Sequence, residues 1–142
     1  MKKKFSKAWK SSKQPRKQRK YRANAPLHIK RKMIASHLSK ELREKYKRRS
    51  FPVRKNDVVK ILRGSFKGKQ GKVSKVDTKK MKVYVEGIVR TKKDGTKVPV
   101  PLDPSNLMIV SLNLEDKKRV KALERKLKEK ESKENKEKGK AS

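Results

Sequence analysis

Three glycines, Gly64, Gly68 and Gly71, alternate with four cations, Arg63, Lys67, Lys69 and Lys72, in one short stretch of the chain. That pattern suits anion capture and not bond-making. Glycine admits positive φ and lets backbone amides approach a partner, while ammonium groups this dense have no place in a core. A second concentration lies at the front, where residues 1–22 carry 11 basic side chains and no acidic one. A run without internal counter-charges points outward to phosphates, with Lys13, Arg16, Lys17, Arg19, Lys20 and Arg22 as its candidate contacts. Lys30, Arg31, Lys32 and Arg54 extend the same candidate surface.

Other chemistries lack their residues. There is no cysteine, so disulfides and thiolate metal sites are excluded, and the two histidines, His28 and His37, stand too far from any ligand set to make a zinc centre. They read as packing or stacking residues. No paired carboxylates or nucleophile-base pattern accompanies them, so neither a metal, a cofactor nor an enzymatic activity is expected. Asp57, Asp77, Glu86, Asp94 and Asp103 fall mostly at strand ends and turns, where capping or charge balance accounts for them.

The whole composition agrees with a polyanion partner. Lys and Arg number 47 against 14 Asp and Glu, a net charge of +33 on 142 residues, far more than solubility requires and self-repelling without an anionic neighbour. An apolar content of 31% limits the core to a small one. No stretch of apolar residues is long enough to span a bilayer and none follows the basic start as a signal peptide would need, so a cytoplasmic, membrane-free location is expected.

These candidate residues need elements to hold them, and the chain divides into four regions. Residues 1–22 form a basic arm that cannot fold alone and is expected to order on its partner. Residues 23–55 form a helical region. Asn24 is expected to cap a helix with Pro26 in its first turn and Leu27, Ile29, Met33, Ile34 and Leu38 on its apolar side. Ser39 is expected to cap the next, with Glu41 and Glu44 early and Leu42 and Tyr46 buried. Phe51-Pro52-Val53 then runs extended.

Residues 56–114 switch to β periodicity. Strands are predicted around Val58–Leu62, Gly71–Val76, Lys82–Glu86, Ile88–Thr91, Lys97–Val100 and Leu107–Leu112, with Asp94-Gly95 as a tight turn. So few short strands bury their faces most economically in a small, strongly bent barrel. Residues 115–142 read as a charged helix, with Val120, Leu123 and Leu127 as a docking stripe and Glu124 and Lys128 as an i,i+4 pair. Beyond Leu127 no apolar face remains, leaving either a solvated helix or a disordered tail. The fold class is therefore mainly β with flanking helices.

The segment Val58-Val59-Lys60-Ile61-Leu62-Arg63-Gly64-Ser65-Phe66-Lys67-Gly68-Lys69-Gln70-Gly71-Lys72-Val73 resembles the KOW motif of SH3-like barrels in ribosomal proteins and transcription elongation factors. Asn24-Ala25-Pro26-Leu27-His28, Leu38 to Tyr46 and Pro52-Val53-Arg54 precede it, and Leu102-Asp103-Pro104-Ser105-Asn106-Leu107 follows. Taken in that order over about residues 13–127, these motifs are similar to the large-subunit ribosomal protein twenty-four family, called twenty-six in eukaryotes, in its archaeal form.

The resemblance implies a non-catalytic protein that binds the 5′ region of large-subunit ribosomal RNA early in assembly, lies near the peptide exit tunnel and meets neighbouring ribosomal proteins. Phe66 would then either stack on a base or fill the barrel mouth. Residues 1–12, with Trp9, stand as an extension before the family pattern, and the Lys/Glu tail after Leu127 carries no family role. A KOW-type elongation factor is the main alternative, but it would normally add an acid-balanced domain to grip a polymerase. A histone-like protein would share the charge without needing the glycine-punctuated barrel.

Overall fold

The computed structural model describes residues 5–9 and 12–141, so Met1 to Lys4, Lys10, Ser11 and Ser142 fall outside the described part of the basic arm and tail. The arm, expected to have no fold of its own, contains a helix, α1 (Pro15–Asn24). Pro15 opens it with φ already fixed for a first turn, and the Lys, Arg and Gln that follow are good helix formers. None of its residues is buried. Tyr21 supplies the local anchor, its ring lying 4.9 Å from Phe5 and 4.8 Å from Trp9, centroid to centroid.

The next helix, α2 (Leu27–Met33), begins after Pro26 and is shorter than its apolar spacing suggests. Asn24 closes α1 and does not cap α2. Residues Ala35–Leu38, expected to continue the helix, form strand β1 instead. Tertiary pairing overrides local propensity there, since Ser36 and Leu38 are buried and Ser36 donates its hydroxyl to the Pro104 carbonyl at 2.6 Å. Ser39 does cap α3 (Lys40–Tyr46), accepting from the Leu42 amide. Leu42 and Tyr46 are half-buried and pack against the core.

The remaining strands are β2 (Ser50–Pro52), β3 (Val58–Ile61), β4 (Gln70–Asp77), β5 (Lys82–Val85), β6 (Val89–Thr91), β7 (Lys97–Pro99) and β8 (Leu107–Ser111). Six of the eight strands form one sheet in the order β2-β1-β8-β3-β4-β5, while β6 and β7 pair as a separate hairpin around Asp94-Gly95. All neighbours in the six-stranded sheet are antiparallel except β1 and β8. The sheet is not closed into the expected barrel, because β2 and β5 remain its edges. β4 spans the bend, pairing with β3 through residues 70–72 and with β5 through residues 73–77, with a register shift between Val73 and Lys75. Val59, Ile61, Val73, Val83, Leu107 and Ile109 are buried along this sheet.

The last helix, α4 (Lys117–Lys140), is capped by Asp116, which accepts from the Lys118 amide, and continues through the tail that sequence left open between helix and disorder. Leu123 enters the core; Val120 and Leu127 are half-buried. The Glu124–Lys128 pair does not form among the described residues. α4 lies instead on the end of α3, where Arg48 donates to the Ala122 carbonyl at 3.0 Å, Lys130 to the Lys47 carbonyl at 2.6 Å, and Lys47 pairs with Glu134 at 3.5 Å. Desolvation of Arg48 on burial lowers its pKa from the usual guanidinium range, the Arg125 charge adds to the shift, and Glu129 opposes it.

Asp57 and Arg119 hold the helix to the sheet. Both are buried, and Arg119 forks onto both carboxylate oxygens at 2.6 Å. The same guanidinium donates to the carbonyls of Asn113 and Pro52, and Asp57 also accepts the amides of Arg54 and Asn113. Removing one member of such a pair strands a charge in a dry interior. Asp57→Ala should therefore lower the unfolding free energy by about 3–5 kcal/mol in chemical denaturation. Arg54→Ala, which breaks only the exposed pair with Asp116, should leave it nearly unchanged.

Candidate nucleic-acid interface

Eight residues join β3 to β4, and the glycines determine their path. Gly64 has φ +98° and Gly68 φ +87°, conformations that L side chains rarely adopt. The loop closes on its base through Gly68 N–H to Ile61 C=O at 2.8 Å and Ile61 N–H to Lys69 C=O at 2.9 Å. Gly71 is needed for a different reason. A Cβ there would lie 2.6 Å from a Val85 methyl and 2.9 Å from the Glu86 carbonyl oxygen, so the third glycine allows β4 and β5 to approach closely.

On this base Arg63, Lys67, Lys69 and Lys72 are all exposed. Phe66 is half-buried against the core, and the Lys69 ammonium sits 5.2 Å from its ring centroid. Of the two roles open to Phe66, filling the end of the fold is the one its packing displays. One ring face is already occupied by a cation.

A second basic surface gathers at the other end of β4, roughly 20 Å away at 3.3 Å per residue. Arg19 and Arg22, one turn apart on α1, border a small groove with Lys30, Lys79 and Lys80. Lys79 and Lys80 are contributors that sequence reasoning did not single out. Their signal was a charged pair in the tight turn after β4, where Asp77 accepts the Lys80 amide. Lys13, Arg16, Lys17 and Lys20 are exposed on or beside α1, and α1 holds no acidic residue.

Two of the candidate cations have internal work. Lys30 is buried, and its ammonium donates to the Lys79 carbonyl at 3.2 Å, fastening α2 to the β4–β5 turn. Arg54 pairs with Asp116, and this hydrogen bond is the first cause holding the Asp116 carboxyl below its ordinary range, with the Lys118 amide second. The folded-state pKa of Asp116 is depressed, so what the pair contributes is present above the unfolded carboxylate range and fades on acidification. Arg31 and Lys32 stay exposed. His28 and His37 are exposed too, and no group of three or more acidic or histidine side chains suited to a metal occurs among the described residues.

The arrangement is cations on rigid elements, and the comparison with known families agrees with it. The chain belongs to the family of ribosomal proteins called L26 in eukaryotes and L24 in archaea, whose model matches residues 12–126. It is accordingly a non-enzymatic structural protein of the large ribosomal subunit, a cytoplasmic ribonucleoprotein constituent working in translation. No helix among the described residues is long and apolar enough to cross a membrane. Phe5 and Trp9 precede the matched segment yet pack onto it through Tyr21.

The loop's exposed charge and its close packing separate by mutation. Lys67→Glu with Lys69→Glu should leave the melting temperature within a few degrees of wild type while lowering affinity for ribosomal RNA at least tenfold in filter binding, since about four units of charge change on an exposed tip. Gly71→Val should do the reverse first, costing about 1–3 kcal/mol of stability through the clash with β5.

Proposed function

We propose that this chain binds large-subunit ribosomal RNA directly, on a KOW-type module related to SH3-like barrels, through α1 and the glycine-punctuated loop. The contacts are Lys13, Arg16, Lys17, Arg19, Lys20 and Arg22 from the front, Arg31, Lys32 and Arg54 from α2 and the β2–β3 connection, and Arg63, Lys67, Lys69 and Lys72 from the loop. Lys30 contributes by placing α2, and Phe66 by supporting the loop from beneath. The observation that carries the reading is the exposed, acid-free run of cations on α1, which has no acidic partner among the described residues. RNA phosphates neutralise it with release of condensed counterions, and guanidinium forks add geometry to charge.

The RNA partner is the 5′ region of the large-subunit RNA, bound early in assembly, and the final position is near the peptide exit tunnel among neighbouring ribosomal proteins. What supports these finer statements is the ordered set of family motifs together with a fold whose two basic ends suit the bridging of separate RNA segments. Sucrose-gradient fractionation of a lysate tests the reading. The chain should sediment with large subunits and with their early precursor particles, and should be stripped from them by high salt. Sedimentation with RNA polymerase instead would favour the transcription-factor alternative and overturn it.

A further inference from the structure

Beside the surfaces already described, a groove with a cavity volume of about 530 Å³ opens between α2, the β2–β3 connection and the far end of β4. Its rim carries Arg31, Lys32, Arg54 and Lys55, all exposed. Its apolar floor is lined by Ile34, Pro52, Val53 and Val76; Ile34 and Val53 are buried, so Pro52 and Val76, both half-buried, present its accessible surface. The Val53 amide is already bound to the Ile34 carbonyl at 2.9 Å, so the floor offers a surface for contact and few free polar groups. Among the described residues no carboxylate lines the groove, and Arg54 on its rim pairs with Asp116.

An apolar floor bordered by four cations is complementary to one chemical unit above others: a planar base joined to a phosphate. Phosphate contact alone needs no apolar floor, and an apolar peptide side chain gains nothing from four surrounding positive charges. Thr78 borders the same space and offers a hydroxyl to a base edge or a 2′-OH. The geometry points to this groove as a receptor for a single unstacked nucleotide of an RNA strand, its base on Pro52 and Val76 and its flanking phosphates on Arg31, Lys32, Arg54 and Lys55.

This inference rests on the RNA-binding reading and adds a definite place and conformation to it. Sequence-specific RNA recognition works largely through bases splayed out of a helix, so an apolar receptor would give a strongly charged protein a reason to prefer a bulge or loop over plain duplex. The groove also adjoins the Lys30 contact that fixes α2 against the β4–β5 turn, so its two walls are tied together before any RNA arrives.

The test uses the full-length chain with large-subunit RNA fragments carrying 4-thiouridine, photocrosslinked and mapped by mass spectrometry. Crosslinks should concentrate on residues 31–34, 52–55 and 76–78. Thr78→Trp, which fills the groove from its border, should weaken binding to bulged RNA roughly tenfold and leave duplex binding unchanged, in line with the loss of one stacked base. Thr78→Ser, which keeps the groove open, should behave as wild type, and thermal melting of both variants confirms that they fold. If RNA still binds but crosslinks scatter over the basic surface and Thr78→Trp binds bulged RNA normally, the groove assignment is wrong while the RNA-binding reading stands. Displacement of the RNA by polyglutamate with no crosslink to the groove overturns it likewise, and absence of any RNA binding overturns both.

Discussion

The constraint from which the rest of the structure follows is electrostatic: 47 cations share a small protein with 14 carboxylates. The fold meets it by using several of its carboxylates as fasteners. Asp57 is fully buried and satisfied by two arms of Arg119 and two backbone amides. Asp116 caps α4 and pairs with Arg54, Asp77 and Asp94 close turns, and Glu134 tethers α4 to the end of α3. Acids used this way leave most of the exposed lysines and arginines without a counter-charge. The positive field is left for a partner to neutralise.

Rigidity is the second half of the same arrangement. Arg119 bonds to residues of the β2 end, the β3 start and the segment after β8, so a single guanidinium ties three parts of the sheet to α4. Its carbon and that of Arg48 lie 5.3 and 5.1 Å from the Phe51 ring centroid, adding cation-π contact to the junction. On this base β4 carries one basic surface at each end, with its bend between them. Exposed cations on such a base present fixed geometry to RNA and lose less freedom on binding than they would on a flexible arm.

Much of this was legible in the sequence, and the remainder was hidden for physical reasons. The β periodicity of residues 58–112, the Asp94-Gly95 hairpin, the Ser39 cap and the C-terminal helix follow from local signals that the fold leaves intact. β1 was hidden because Ala35–Leu38 carries helix-compatible residues and becomes a strand only through its pairing with β2 and β8. The Asp57–Arg119 pair spans 62 positions, a separation at which charge pattern carries no signal. α1 looked like a bare arm because its helix-forming Lys and Arg read first as unpaired charge, and because Tyr21 finds Phe5 and Trp9 only in three dimensions. Lys30 looked like its neighbours Arg31 and Lys32, and only packing distinguishes it.

The central claim, that an uncompensated positive surface on a pre-built scaffold is completed by RNA, is tested most directly by the salt dependence of binding to large-subunit ribosomal RNA. With roughly ten phosphate contacts, the plot of log affinity against log salt should be linear with a slope of about −7 to −9. A slope near zero would mean that binding is not driven by phosphate neutralisation, and would contradict the account.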